Sequence, residues 1–232
     1  MKRIFTGAGL RPKDPDYHNN IGGLYLGKGK YRPAIVEFKK AIELKPNDSW
    51  FLTNLSIAQR RLGNPEEALE SVRLALAANP RDAGAHHTLG NTRVALNRLD
   101  EAMVAYLKAL QIDSTSIMTT KDLISCLSEL LTITIQTPED EQELLRAQSD
   151  LENLTQDMTG QFIESINSGP DGDTDEKVGI VFTRWLVDHL GRIGENLPSS
   201  CPQRIRELLR LSFIAIHLKD IQESVRTTRN QD

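Results

Sequence analysis

The sequence predicts an all-α protein built from a helical repeat, and three observations predict it. Between Asp16 and Ser114 one pattern of small and apolar residues recurs at a constant step, linking Gly22, Ser56 and Gly90, then Ala34, Ala68 and Ala102, then Ala41, Ala75 and Ala109. The larger apolar residues keep the same step, in the rows Ile21, Leu55, Leu89 and Phe38, Val72, Tyr106, and a period of this length is the mark of stacked supersecondary units. Aromatic residues make up only 5% of the 232 residues and charged residues 26%, a balance that suits helical repeats better than sheets.

Taken in order, residues 1–14 hold Gly, Lys, Arg and Pro without a helical period and read as a tail or as the end of a preceding repeat. Three units follow, at about 15–48, 49–82 and 83–116, each with two helices. The first helix of the first unit is expected from Pro15 to Leu26 and ends in the Gly27-Lys28-Gly29 turn, whose glycines permit positive φ. The second helix is expected from Tyr31 to Leu44, with Pro46 beyond its last turn and Pro80 at the same point one unit later. In the second unit Asn64 is the expected N-cap, with Pro65 in the first helical position. The small residues have a packing reason to recur: Gly22 and Ala34 let the two helices of a unit approach closely, and Ala41 leaves room for the next unit.

Beyond Ser114 the pattern fades into an α-helical C-terminal region, divided at about 117–168 and 175–232. Ile117 to Ile135 is expected to cap the array, yet it is apolar over more of its surface than a simple cap requires. Thr137-Pro138-Glu139-Asp140 reads as a helix start, opening a helix that carries Leu144 to Ile166. Ser168 to Asp175 is a Gly/Pro/Asp loop, and two further helices are expected, the last with an apolar centre from Leu208 to Leu218.

A two-helix unit of this period, with small residues at the places of Gly22, Ala34 and Ala41, resembles the tetratricopeptide repeat (TPR). The resemblance implies three hairpins wound into a right-handed solenoid, with a concave groove lined by the first helix of each unit. It also implies that a peptide or protein segment is the ligand. Candidate groove residues are Asn20, Trp50, Thr53, Asn54, Ile57, Arg61, His87 and Asn91. An asparagine amide carries both donor and acceptor and can hold a peptide backbone whatever its side chains. The pair Asn20 and Asn54 resembles the asparagine row of the TPR arm of O-linked N-acetylglucosamine transferases, although Thr88 takes the third place. Asn54 is expected on a solvated face, where its truncation costs little stability. Chaperone-binding TPR domains grip a C-terminal carboxylate with Lys, Arg and Asn on these helices; here only Asn54 matches, and the other places hold Asn19, Gly23, Gly84 and Thr88, none of them cationic. Trp50, Thr53, Ile57 and the pair Arg60 and Arg61 form a mixed apolar and cationic patch that suits a peptide with an apolar anchor and some acidic character.

Charge is segregated along the chain: residues 1–45 carry ten Lys/Arg against four Asp/Glu, and residues 117–176 carry two against fourteen. The acidic stretch repels polyanions and the basic one lacks interleaved aromatics, which argues against nucleic acid. Asp171, Asp173 and Asp175 imitate the start of a calcium loop, but Glu176 and Phe182 stand where that loop needs glycine and an acid. Cys126 and Cys201 lack partner spacing, and the five histidines form no ligand set. No cofactor, metal or catalytic constellation is expected, nor a signal peptide or membrane span, and the expected location is cytoplasmic. The first reading is therefore a non-enzymatic adaptor. Its alternatives are the substrate-recruiting or regulatory arm of an enzyme such as a glycosyltransferase, and a structural homo-oligomer assembled through the C-terminal helices.

Overall fold

The structure, a computed structural model, describes residues 13–113 and 115–142 together with positions 145, 208 and 215. All seven elements among the described residues are α-helices. The chain divides into two compact units, Met1–Asn97 and Arg98–Asp232, so the division falls within the third repeat.

The first unit contains α1 (Pro15–Gly27), α2 (Tyr31–Leu44), α3 (Ser49–Leu62), α4 (Pro65–Ala78) and α5 (Ala83–Ala95). Hairpins α1/α2 and α3/α4 are the first two repeats, and α5 begins the third. Within this unit each helix packs on the one that follows it, and α3 also packs on both α1 and α5, so the first helices form a layer of their own. Gly22 explains how closely α1 and α2 can approach, because a Cβ at that position would lie 2.5 Å from Cε1 of Phe38. Phe38 occupies the space that glycine leaves, and Ala34, Phe38, Leu55 and Ala58 form one buried cluster joining α2 to α3.

Helix starts and turns repeat with the same step as the core. Asp14, Asp48, Asp82 and Ser116 are spaced one repeat apart and cap the first helix of each successive unit. Their side chains accept hydrogen bonds from Asp16, from Trp50 and Phe51, from Ala85, and from Thr119 respectively, which satisfies N–H groups that no intrahelical carbonyl can reach. Gly29, Gly63 and Asn97 lie at the same step and carry positive φ of 71°, 95° and 57°, turning the chain from the first helix of each unit to the second. One expected cap differs. Asn64 does stand at the N-cap of α4 with Pro65 beginning the helix, but it makes no side-chain cap; its Nδ2 donates to Oε1 of Glu67 at 3.1 Å. The carboxylates Glu66 and Glu67 in the first turn meet the positive end of the helix instead.

Within the second unit, α6 (Leu99–Ile112) packs on α7 (Ile117–Thr134). Buried residues on α6 include Ala102, Tyr106 and Ala109, the rows that define the repeat. α7 starts in the register of a fourth first-type helix, with Leu123 continuing the row of Ile21, Leu55 and Leu89. It then runs for 18 residues where its counterparts have 13 or 14. Leu123, Cys126, Leu127 and Leu130 are buried, while Met118 and Ile133 are exposed. Cys126 donates from Sγ to the Leu99 carbonyl at 3.4 Å, and burial, with Glu129 and Asp100 nearby, pushes its thiol up to about 12. The thiolate that would react is therefore scarce at neutral pH.

The expected helix start at Thr137 is present: Thr137 Oγ1 accepts from the Asp140 N–H, while Asp140 Oδ2 accepts from the N–H of Gln136 and Thr137. This reciprocal arrangement is a capping box. The helix expected from Leu144 to Ile166, the Ser168–Asp175 loop and the two last helices lie outside the described residues, apart from Leu145, Leu208 and Ala215. Leu208 and Ala215 are helical and buried.

Candidate functional site

The candidate site is the side of the α1, α3 and α5 layer that the second helices do not cover. On α3, Leu55, Ser56 and Gln59 are buried, with Ser56 Oγ donating to the Ala68 carbonyl and Ser71 Oγ donating to Gln59 Oε1 across the hairpin. Trp50, Asn54, Ile57 and Arg61 are exposed or half-buried instead, and their spacing of four, three and four residues places them on one helical face. Trp50 is 46% exposed. A large indole held half in water is a recognised anchor for a partner, since further burial is favourable and its N–H can still be satisfied.

The corresponding places on α1 and α5 complete the face. Asn20 is half-buried, and Gly23 and Gly27 are exposed, leaving the backbone of α1 open to approach. On α5, Asn91 takes the place of Ile57 and is half-buried, Thr88 takes the place of Asn54 and is buried, and His87, in the row of Thr53, is half-buried with its Nε2 3.2 Å from Asn91 Nδ2. Arg61, exposed in the last turn of α3, supplies positive charge at one end of the face, where it also complements the negative end of the helix dipole. Arg60 is half-buried beside it.

Two of the expected residues behave differently from the expectation. Asn54 does not sit on an indifferent solvated surface: its Nδ2 donates to Oδ1 of Asn19 at 2.9 Å, bridging α3 to α1. Asn19 is 2% exposed and belongs to the wall between the helices. Asn54 keeps one amide hydrogen and its carbonyl oxygen for any further partner. Thr53, expected to line the face, is 7% exposed, and its Oγ1 is buried without a hydrogen-bond partner. It is therefore part of the helix packing more than of the surface. Sequence reading alone does not find the Asn19–Asn54 bridge. Its signal is a separation of 35 residues, one more than the repeat, and that offset is how adjacent positions on neighbouring first helices meet. Ser49 and Asp82 show the complementary offset of 33, with Ser49 Oγ donating to Asp82 Oδ2 at 2.6 Å.

Family models described as tetratricopeptide repeat match residues 15–48 and 83–116, the registers of the first and third hairpins, and residues 37–70, which run from within α2 into α4. Residues 15–116 are built of tetratricopeptide repeats. Among curated relatives, small glutamine-rich tetratricopeptide repeat-containing protein 2 of Mycosarcoma maydis is 28% identical over 109 residues, which are 47% of this chain and 31% of that protein. Superkiller complex protein 3 of Mus musculus is 30% identical over 108 residues, 46% of this chain and 7% of that protein. The chain thus spans less than a third of the length of either relative. Among solved structures, the first TPR of Spaghetti (RPAP3) bound to the HSP90 peptide SRMEEVD is 26% identical with a TM-score of 0.49, covering 52% of this chain and 98% of that one. The first TPR domain of human RPAP3 is 28% identical with a TM-score of 0.48, covering 50% and 91%.

These TPR hairpins put the eight candidate residues on three first helices of one compact unit. Among the described residues no group of histidine, cysteine and carboxylate side chains could hold a metal ion, and no helix is long and apolar enough to cross a membrane.

Proposed function

We propose that this TPR protein is a non-enzymatic adaptor whose first-helix face holds an extended segment of a partner protein. The observation that carries the proposal is the row Trp50, Asn54, Ile57 and Arg61, which sets an exposed aromatic, an amide, a half-buried aliphatic residue and a cation on one face of α3. An apolar side chain of the ligand seats between Trp50 and Ile57, its backbone bonds to the free donor and acceptor of Asn54, and an acidic residue reaches Arg61. Asn20, His87 and Asn91 extend the polar contacts to α1 and α5. The segment is internal to its protein and does not end on the face in a free carboxylate. Support for this comes from Asn19, which is buried and engaged with Asn54, and from Gly23, Gly84 and Thr88, which add no charge.

Selection from a displayed library of random dodecamers on the full chain, followed by calorimetric titration of the selected peptide, tests the reading. Trp50→Ala should weaken binding by about 2 kcal/mol. Arg61→Glu should weaken an acidic peptide by about 1 kcal/mol or more, less so in high salt. Amidation of the peptide C-terminus should leave the affinity unchanged. Equal affinities for wild type and both variants would remove this face from the function.

A further inference from the structure

The first-helix face carries charge of opposite sign at its two ends. Asp16 occupies in α1 the place that Trp50 occupies in α3 and Gly84 in α5, while Arg61 ends the same face on α3. Among the described residues neither Asp16 nor Arg61 takes part in an ion pair, although Lys13 stands three residues before Asp16. Asp16 lies in the first turn of α1 and is half-buried. The positive end of the helix favours it there, and a carboxylate partly out of water, with no cation of its own chain, attracts one from a ligand.

The hydrogen bond that joins α1 to α3 sets the level of Asp16. Asn19 and Asn54 meet at 2.9 Å, and the two helices run the same way as the first members of stacked hairpins. Three residues earlier on both, Asp16 is therefore level with Phe51 and next to Trp50. Trp50 is 46% exposed, its ring centroid 5.8 Å from that of Phe51. The chain's own Lys45 places Nζ over the Phe51 ring, 5.8 Å from the centroid, and pairs with Asp48, so the indole is left to a ligand. An indole beside a carboxylate is the chemistry that recognises a long basic side chain: the methylenes cover the ring, and the cationic head is attracted by both the ring and the carboxylate.

We propose that Asp16 and Trp50 form a subsite for a lysine or arginine side chain of the bound segment, whose acidic residue pairs with Arg61. This rests on the reading of the first-helix face above and adds a second charge to its ligand. From the level of Asp16 to Arg61 is about ten residues of helix, or about 15 Å, and neighbouring helices lie about 9 Å apart, a diagonal of about 17 Å. An extended chain covers that distance in about five residues. The ligand therefore carries its basic and acidic residues about five positions apart, with the apolar residue that meets Trp50 and Ile57 between them.

Selection of random dodecamers on the full chain supplies the probe. Enriched peptides should pair Lys or Arg with Asp or Glu about five positions away, and the same selection on Asp16→Asn should lose the basic residue while keeping the acidic one. For one enriched peptide, replacing its basic residue with glutamine should weaken binding to the wild type by about three- to tenfold. Asp16→Asn should show the same loss, with no further loss when the two changes are combined, and Asp16→Glu, which keeps the charge, should retain most of the affinity. Strictly additive losses, or enriched peptides without a basic residue, would overturn the subsite. Trp50→Ala separates the two readings. If it weakens binding where Asp16→Asn does not, the face holds its ligand without this subsite; if neither variant weakens binding, the face itself is not where the ligand lies.

Discussion

Asn54 shows how one side chain can serve both packing and recognition. Its donated hydrogen bond to the buried Asn19 means that Asn54→Ala leaves an acceptor without a partner, and unfolding in urea should show a loss of about 1–3 kcal/mol. Glu37 is a second place where a single group matters. Its Oε2 lies 2.7 Å from His18 Nδ1 and its Oε1 accepts from Lys40 Nζ at 2.8 Å. Burial raises its carboxyl pKa, but the bonds from Lys40 and His18 outweigh this and hold it below the ordinary value. A folded-state pKa below the unfolded one stabilises the fold above the ordinary carboxylate range, and that contribution disappears as pH falls through the folded value. Stability measured from pH 6 to pH 2 should therefore drop less steeply for Glu37→Gln than for wild type. Identical slopes would show that the His18–Glu37–Lys40 cluster has no such part in acid unfolding.

At the scale of the helices, the repeat was legible wherever a position is dictated by sterics or by an unsatisfied backbone. Gly22 and Phe38 illustrate the first: a methyl group at residue 22 meets an aromatic ring at 2.5 Å, so Gly22→Ala should lower stability by about 1–3 kcal/mol in spite of alanine's better helix propensity. An unchanged or raised Tm would contradict the packing of α1 on α2. The turns illustrate the second, for Gly29, Gly63 and Asn97 are the residue types that accept positive φ, and they were readable as turns. The aspartate caps at 14, 48 and 82 obey the same step and could have been read the same way. Asp82 should prove the most important of them, because it both caps α5 through the Ala85 N–H and accepts from Ser49 Oγ on α3. Asp82→Ala should cost about 2 kcal/mol, with Asp14→Ala nearer about 1 kcal/mol. Polar contacts between repeats were not legible. The Asn19–Asn54 bridge depends on how far one first helix is shifted against the next, a property of the stack that no single repeat encodes.

For the molecule as a whole, the repeat period carried the fold class and the order of helices, while the periodicity of residues 117–232 said that helices follow without saying what they cover. The surface of the first helices is where the two kinds of information meet: the repeat determines that the face exists, and the residues that break the repeat determine its chemistry. Trp50 stands where Asp16 and Gly84 stand in the other repeats, and Arg61 where Gly27 and Ala95 stand, so the second repeat is the one with a distinctive side-chain signature. That makes α3 the centre of the proposed interface. Amide shift mapping by NMR, with a peptide selected on the full chain titrated into the isotopically labelled protein, tests this most directly. The account predicts that the largest changes fall on Trp50, Asn54, Ile57 and Arg61, with smaller ones on Asn20, His87 and Asn91 and none on Val36 and Leu74, which are exposed on α2 and α4. Changes centred on α2 and α4, or on α7 with the first-helix layer undisturbed, would contradict it.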